Sequence, residues 1–60
     1  MKRFIVTFFC HGELDDVYVD TENIDEAIEK ASYGMEGCVD AVFDTYTNKL
    51  YNYQILSSQN

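Results

Sequence analysis

One segment of the chain has the periodicity of a helix, and segments with the periodicity of strands flank it on both sides. Apolar residues recur at i, i+3, i+4 and i+7 from Ile24 to Ala31, which places them on one helical stripe. Asn23 is suited to the N-cap position, and Glu26 follows three residues later, as in a capping box. We therefore predict a helix that begins after Asn23 and ends near Gly34, a residue suited to the left-handed position after a helix.

Two strand patterns precede the helix and two follow it. The alternation of apolar and polar residues predicts strands over residues 3–10, 14–19, 38–46 and 50–56. In the third of these, strict alternation places Val39 on the face opposite Val42. Turn chemistry at Gly12 and at Asn48 joins each pair of strands into a hairpin. The predicted fold is α+β, with a four-stranded, mainly antiparallel sheet and one helix packed on one face in the order ββαββ. The order of the strands within the sheet is left open.

The 60 residues are predicted to form a single small acidic domain, with residues 57–60 as a frayed tail. One helix covers one face of the sheet, so the second face is expected to remain open. A chain of this size buries only about 60% of the surface that its unfolded form exposes, which favours self-association. Aromatic residues are common at interfaces. Those assigned to a partner-binding or dimer surface are Phe9, Tyr18, Tyr46, Tyr51 and Tyr53.

The charge of the chain is concentrated in its middle. All eleven Asp and Glu residues lie between Glu13 and Asp44, where Lys30 is the single base, and the net charge is −7. Nucleic acid and anionic membranes are predicted not to bind directly, because such binding begins with neutralisation of negative charge. We define an acidic belt of residues assigned to partner binding: Glu22, Asp25, Glu26, Glu29, Asp40 and Asp44.

The leading functional hypothesis is a non-enzymatic protein–protein interaction module. Rows of carboxylates can imitate a phosphate backbone and occupy the basic site of a nucleic-acid-handling protein. In its most specific form the hypothesis is therefore an anti-defence inhibitor from a phage or mobile element. The first alternative is an accessory or dimerising protein that docks through the open face of its sheet, with acids that only confer solubility.

The first half of the chain resembles short open reading frames of bacteria, their phages and mobile elements. These begin with a lysine-containing, β-branched strand and carry an Asn-x-x-Glu-Ala helix start, which here occupies residues 23–27. The resemblance implies no particular family and transfers no functional residue.

A second alternative is a small metal or thiol site at Cys10, His11 and Cys38, the soft metal ligands of the chain. The paired cysteine spacing of zinc sites is absent, so we predict no metal and no cofactor. Cys10 and His11 are neighbours on a strand and should point to opposite faces, unless a bend at Gly12 changes this. No catalytic residue is predicted. The apolar runs are too short to span a bilayer or to act as a signal peptide, so a cytoplasmic location without disulfides is expected.

Overall fold

A computed structural model of the chain describes residues 2–52. Its elements are β1 (Phe4–Cys10), β2 (Glu13–Val19), α1 (Ile24–Ala31), β3 (Cys38–Asp44) and β4 (Lys49–Asn52). The four strands form one antiparallel sheet in the order β2-β1-β3-β4, which confirms the predicted α+β class and the ββαββ order. Tyr53, the end of the predicted fourth strand and the predicted tail at 57–60 lie outside the described residues.

β1 is an inner strand and supplies most of the core. Phe4, Val6 and Phe8 alternate along one of its faces and are at most 3% exposed. The predicted stripe of α1 packs on this face, and two of its residues, Ala27 and Ala31, are buried. Their small side chains allow the helix backbone to approach the sheet closely. Asn23 caps α1 as predicted, because its Oδ1 accepts a hydrogen bond from the backbone N–H of Glu26 at 2.9 Å.

A bulge in β3 changes the predicted alternation. Thr7 pairs with Ala41, but Phe8 pairs with Val39, so Asp40 is an extra residue between them. Val39 consequently packs against the core together with Val42. The prediction that these two valines lie on opposite faces is wrong, because an extra residue shifts the side-chain alternation by one position.

The two turns hold residues in the left-handed backbone region. His11 has φ 51° and Gly12 has φ 80°, and two successive positive φ values in a two-residue loop form a type I′ hairpin turn. The second turn begins earlier than predicted, because β3 ends at Asp44 instead of residue 46. Asn48, in that turn, has φ 58°, as its left-handed tolerance predicts.

The face of the sheet opposite α1 carries apolar side chains in cross-strand rows. Tyr18, Ile5, Phe43 and Leu50 are paired across all four strands, and Leu14 pairs with Phe9. Directly paired residues point to the same side of a sheet. No helix or strand among residues 2–52 packs on this side. We call these six residues the open sheet face. Within the same described range, no helix is long and apolar enough to cross a membrane.

Candidate functional site

An ion pair between Arg3 and Asp44 organises the helix side of the molecule where β1 begins and β3 ends. The Nε and Nη2 atoms of Arg3 donate to the two carboxylate oxygens of Asp44 at 3.1 and 3.0 Å. Nη1 of Arg3 also donates to the backbone oxygen of Glu22 at 3.1 Å. The guanidinium carbon lies 4.8 Å from the centre of the Tyr46 ring. One arginine therefore connects the start of the sheet, the segment before α1 and the β3–β4 turn.

The ion pair favours the charged forms of both partners. The hydrogen bonds from Arg3 hold the pKa of Asp44 below its ordinary value of 3.8, although burial of the carboxylate opposes this shift. The backbone N–H of Tyr46 donates a further hydrogen bond to Asp44 at 3.0 Å and acts in the same direction. The pKa of Arg3 is raised by the same hydrogen bond to Asp44. The ion pair thus links the residue before β1 to the last residue of β3 through two charged side chains.

An open groove of about 890 Å³ lies beside this ion pair, between α1 and the β3–β4 turn. We call it the acidic groove, and its lining residues are Arg3, Asp20, Thr21, Glu22, Glu26, Glu29, Lys30, Tyr33 and Tyr46. Its four carboxylates face two bases, of which Arg3 is already paired with Asp44. The lining therefore presents excess negative charge together with two exposed tyrosines.

The structure divides the acidic belt. Three members, Glu22, Glu26 and Glu29, line the acidic groove. Asp25 is exposed on α1 but does not line it, and Asp40 is half-buried at the bulge of β3. The remaining member, Asp44, is only 4% exposed and is paired with Arg3. The assignment of Asp44 to an exposed partner-binding surface is therefore corrected, because its carboxylate is buried and already paired.

The aromatic residues assigned to partner binding are similarly distributed. Phe9 and Tyr18 belong to the open sheet face and are about half exposed. Tyr46 is exposed and lines the acidic groove. Tyr51 pairs with the buried residue Val42 and is half-buried, so it lies on the core side of the sheet. Tyr53 lies outside the described residues.

Five residues of the acidic groove were not assigned to partner binding from the sequence: Arg3, Asp20, Thr21, Lys30 and Tyr33. Tyr33 is 83% exposed and was not assigned to any surface. Tyr33 lies seven residues after Glu26 and four after Glu29 in the sequence. This spacing places all three residues on one side of a helix that is extended by the turn following it. That spacing was the available signal. Nothing in the sequence indicated that Arg3 would reach this site.

Only two of the three predicted soft ligands, Cys10 and His11, belong to one cluster. The metal-ligating atoms of Cys10, His11 and Glu36 all lie within 4.8 Å of one another. Cys38 is not a member of this group, and both cysteines are free thiols. Cys10 and His11 do not point to opposite faces as they would on an unbroken strand. The left-handed backbone of His11 and Gly12 supplies the bend for which the prediction made an exception.

Comparison with protein-family models, with curated proteins and with solved structures finds no match to this chain.

Proposed function

We propose that this protein is a non-enzymatic interaction module that binds a basic segment of a partner protein in the acidic groove. The observation that carries the proposal is the convergence of glutamates and an exposed tyrosine, Tyr33, along one open groove. Carboxylates form charge-assisted hydrogen bonds with arginine and lysine, and the face of a tyrosine ring attracts a cation. A partner segment that carries arginines would satisfy both kinds of group at once.

Arg3 provides an internal example of this recognition. Its guanidinium group is held by the Asp44 carboxylate and lies over the ring of Tyr46. Glu29 and Tyr33, on the same groove, offer a carboxylate and an exposed ring to an arginine from outside. The contacts inside the protein thus support the chemistry proposed for the partner.

The most specific form of the proposal is an inhibitor that imitates nucleic acid, of the phage or mobile-element anti-defence kind. A protein of net charge −7 is repelled by nucleic acid and attracted to the basic site of a protein that handles it. We further propose that it acts in the cytoplasm, where free Cys10 and Cys38 suit the reducing conditions.

Two triple variants with the same change in net charge test the groove. The groove variant replaces Glu22, Glu26 and Glu29 with glutamine. The control variant carries Glu13→Gln, Asp15→Asn and Asp25→Asn, three exposed acids outside the groove. Each tagged protein captures partners from host lysate at low salt, and mass spectrometry identifies what high salt then releases.

We expect the wild type and the control variant to capture the same basic protein and the groove variant to lose it. A purified partner should then show the same order of affinities, with a loss of at least about tenfold for the groove variant. Equal losses in both triple variants would show that only net charge matters. A partner that survives high salt in all three proteins would exclude the groove as the binding site.

A second candidate function is supported by the open sheet face. Its six residues are largely apolar, and Leu14 and Leu50 at its outer strands are more than 60% exposed. We propose a second copy of this chain as the occupant, because a domain of this size gains stability by covering such a surface. The accessory-protein hypothesis differs only in the identity of the occupant.

Substitutions on the outer strands test this dimer without disturbing the core. Leu14→Glu and Leu50→Glu together should convert a dimer to a monomer in light scattering coupled to size-exclusion chromatography. Glu13→Gln with Lys49→Gln, at neighbouring positions that are also exposed, provides the control. A wild type that is monomeric up to high concentration would contradict the dimer.

A further inference from the structure

We propose that Cys10, His11 and Glu36 form a zinc-binding site where the β1–β2 turn meets the α1–β3 loop. The Cys10 thiol, the His11 imidazole and the Glu36 carboxylate place their ligand atoms within 4.8 Å of one another. This end of β1 is separated from the acidic groove by the seven residues of the strand, or about 20 Å. The inference is therefore independent of the proposed partner binding.

The ligand set has the chemistry of zinc. Sulfur, imidazole nitrogen and carboxylate oxygen are the three ligand types that zinc takes in proteins, whereas calcium and magnesium prefer oxygen alone. At normal zinc bond lengths the ligand atoms of a tetrahedral site stand about 3.4–3.6 Å apart. His11 and Glu36 are exposed, so small side-chain rotations can close the remaining distance. Water completes the fourth position.

Two backbone features hold the three ligands together. The first is the left-handed conformation of His11, with φ 51°, which brings its ring to the side of Cys10. The second is the close approach of Gly37 to the end of β1. A Cβ atom at Gly37 would overlap the carbonyl oxygen of Phe9 and would lie 2.7 Å from the Cβ of Cys10. Glycine at this position therefore allows Glu36 to lie beside Cys10.

Cobalt and zinc titrations of the reduced, full-length chain test the site. We expect one Co²⁺ per chain, with a thiolate-to-cobalt charge-transfer band and the visible bands of tetrahedral cobalt, both displaced by Zn²⁺. Cys10→Ser should remove the charge-transfer band. Glu36→Gln and His11→Asn should each weaken zinc binding by at least about tenfold. Asparagine is chosen at position 11 because it tolerates the left-handed backbone.

Cys38→Ser is the matched control, because Cys38 is the other thiol of the chain but does not belong to the cluster. It should bind cobalt as the wild type does. The proposal is overturned if the wild type shows no charge-transfer band, or if Cys38→Ser loses the band as Cys10→Ser does.

Alkylation of the wild type keeps the test independent of how the variants fold. Zinc should slow the reaction of Cys10 with iodoacetamide at least about tenfold and leave that of exposed Cys38 unchanged, as measured by peptide mass spectrometry. Equal rates at Cys10 with and without zinc would refute the site. Equal protection of both cysteines would refute it as well, because it would indicate binding that involves Cys38.

Discussion

The two faces of the sheet differ in the kind of side chains that they expose. On the helix side, apolar residues are buried under α1, and the exposed groups around them are acids arranged beside one ion pair. On the open sheet face, apolar side chains in cross-strand rows face outward. Electrostatic binding to the first side should weaken with salt, whereas apolar binding to the second should not. Salt therefore separates the two surfaces experimentally.

Adjacent phenylalanines on β1 give the largest expected contrast between the two faces. Phe8 is 3% exposed in the core, and Phe9 is 49% exposed on the open sheet face. Phe8→Ala should lower the free energy of unfolding by about 3–5 kcal/mol, and Phe9→Ala by about 1 kcal/mol or less. Urea denaturation at two protein concentrations measures both.

Equal decreases in the free energy of unfolding for the two variants would contradict this contrast, because they would show that the open sheet face is covered in solution. A loss for Phe9→Ala that grows with protein concentration would identify a second copy of the chain as the cover.

A pair of glycine variants tests how tightly the α1–β3 loop is held against the sheet. Both Gly34 and Gly37 have positive φ, at 72° and 97°, but a Cβ atom clashes only at Gly37. Gly37→Ala should therefore cost about 2–3 kcal/mol of stability, and Gly34→Ala about 1 kcal/mol. Thermal unfolding measures both values. Similar losses would indicate that the loop relaxes away from β1.

The pH dependence of stability isolates the ion pair of the helix side. Because the pKa of Asp44 in the folded state lies below its ordinary value of 3.8, the unfolded chain binds a proton more readily than the folded protein. The contribution of Asp44 is thus complete above the ordinary pKa and is lost as the pH falls through the lower folded value. At neutral pH, Asp44→Asn should lower Tm by less than Gly37→Ala does. It should also make the decrease of Tm at acidic pH smaller than in the wild type.

Asp15→Asn, at an exposed position of β2, is the control for removing one negative charge. It should retain the acid-dependent fall in Tm of the wild type. If Asp44→Asn retained the same fall, the ion pair with Arg3 would contribute nothing to acid stability.

The sequence predicted those features that depend on local spacing. Helix α1 begins where predicted, because its apolar stripe and the Asn23 cap are local signals, but it ends at Ala31, three residues before Gly34. The bulge at Asp40 depends on how β3 pairs with β1, and the burial of Asp44 depends on Arg3, which is 41 residues away. The meeting of His11 with Glu36 likewise depends on how two loops pack. Such contacts depend on tertiary packing, which the spacing of residues along the sequence does not predict.

The smallest expected effect concerns a polar pair beside the rows of the open sheet face. Thr7 donates a hydrogen bond to the Asp16 carboxylate at 2.8 Å across β1 and β2. Thr7→Val should change the free energy of unfolding by less than about 1 kcal/mol, because the bond is exposed and valine suits a strand. The variant should nevertheless self-associate more strongly, since it extends the apolar surface. Analytical ultracentrifugation compares it with Asp16→Asn, which removes the charge but keeps an acceptor. Stronger association of Asp16→Asn alone would show that repulsion between carboxylates, and not apolar area, limits self-association through this face.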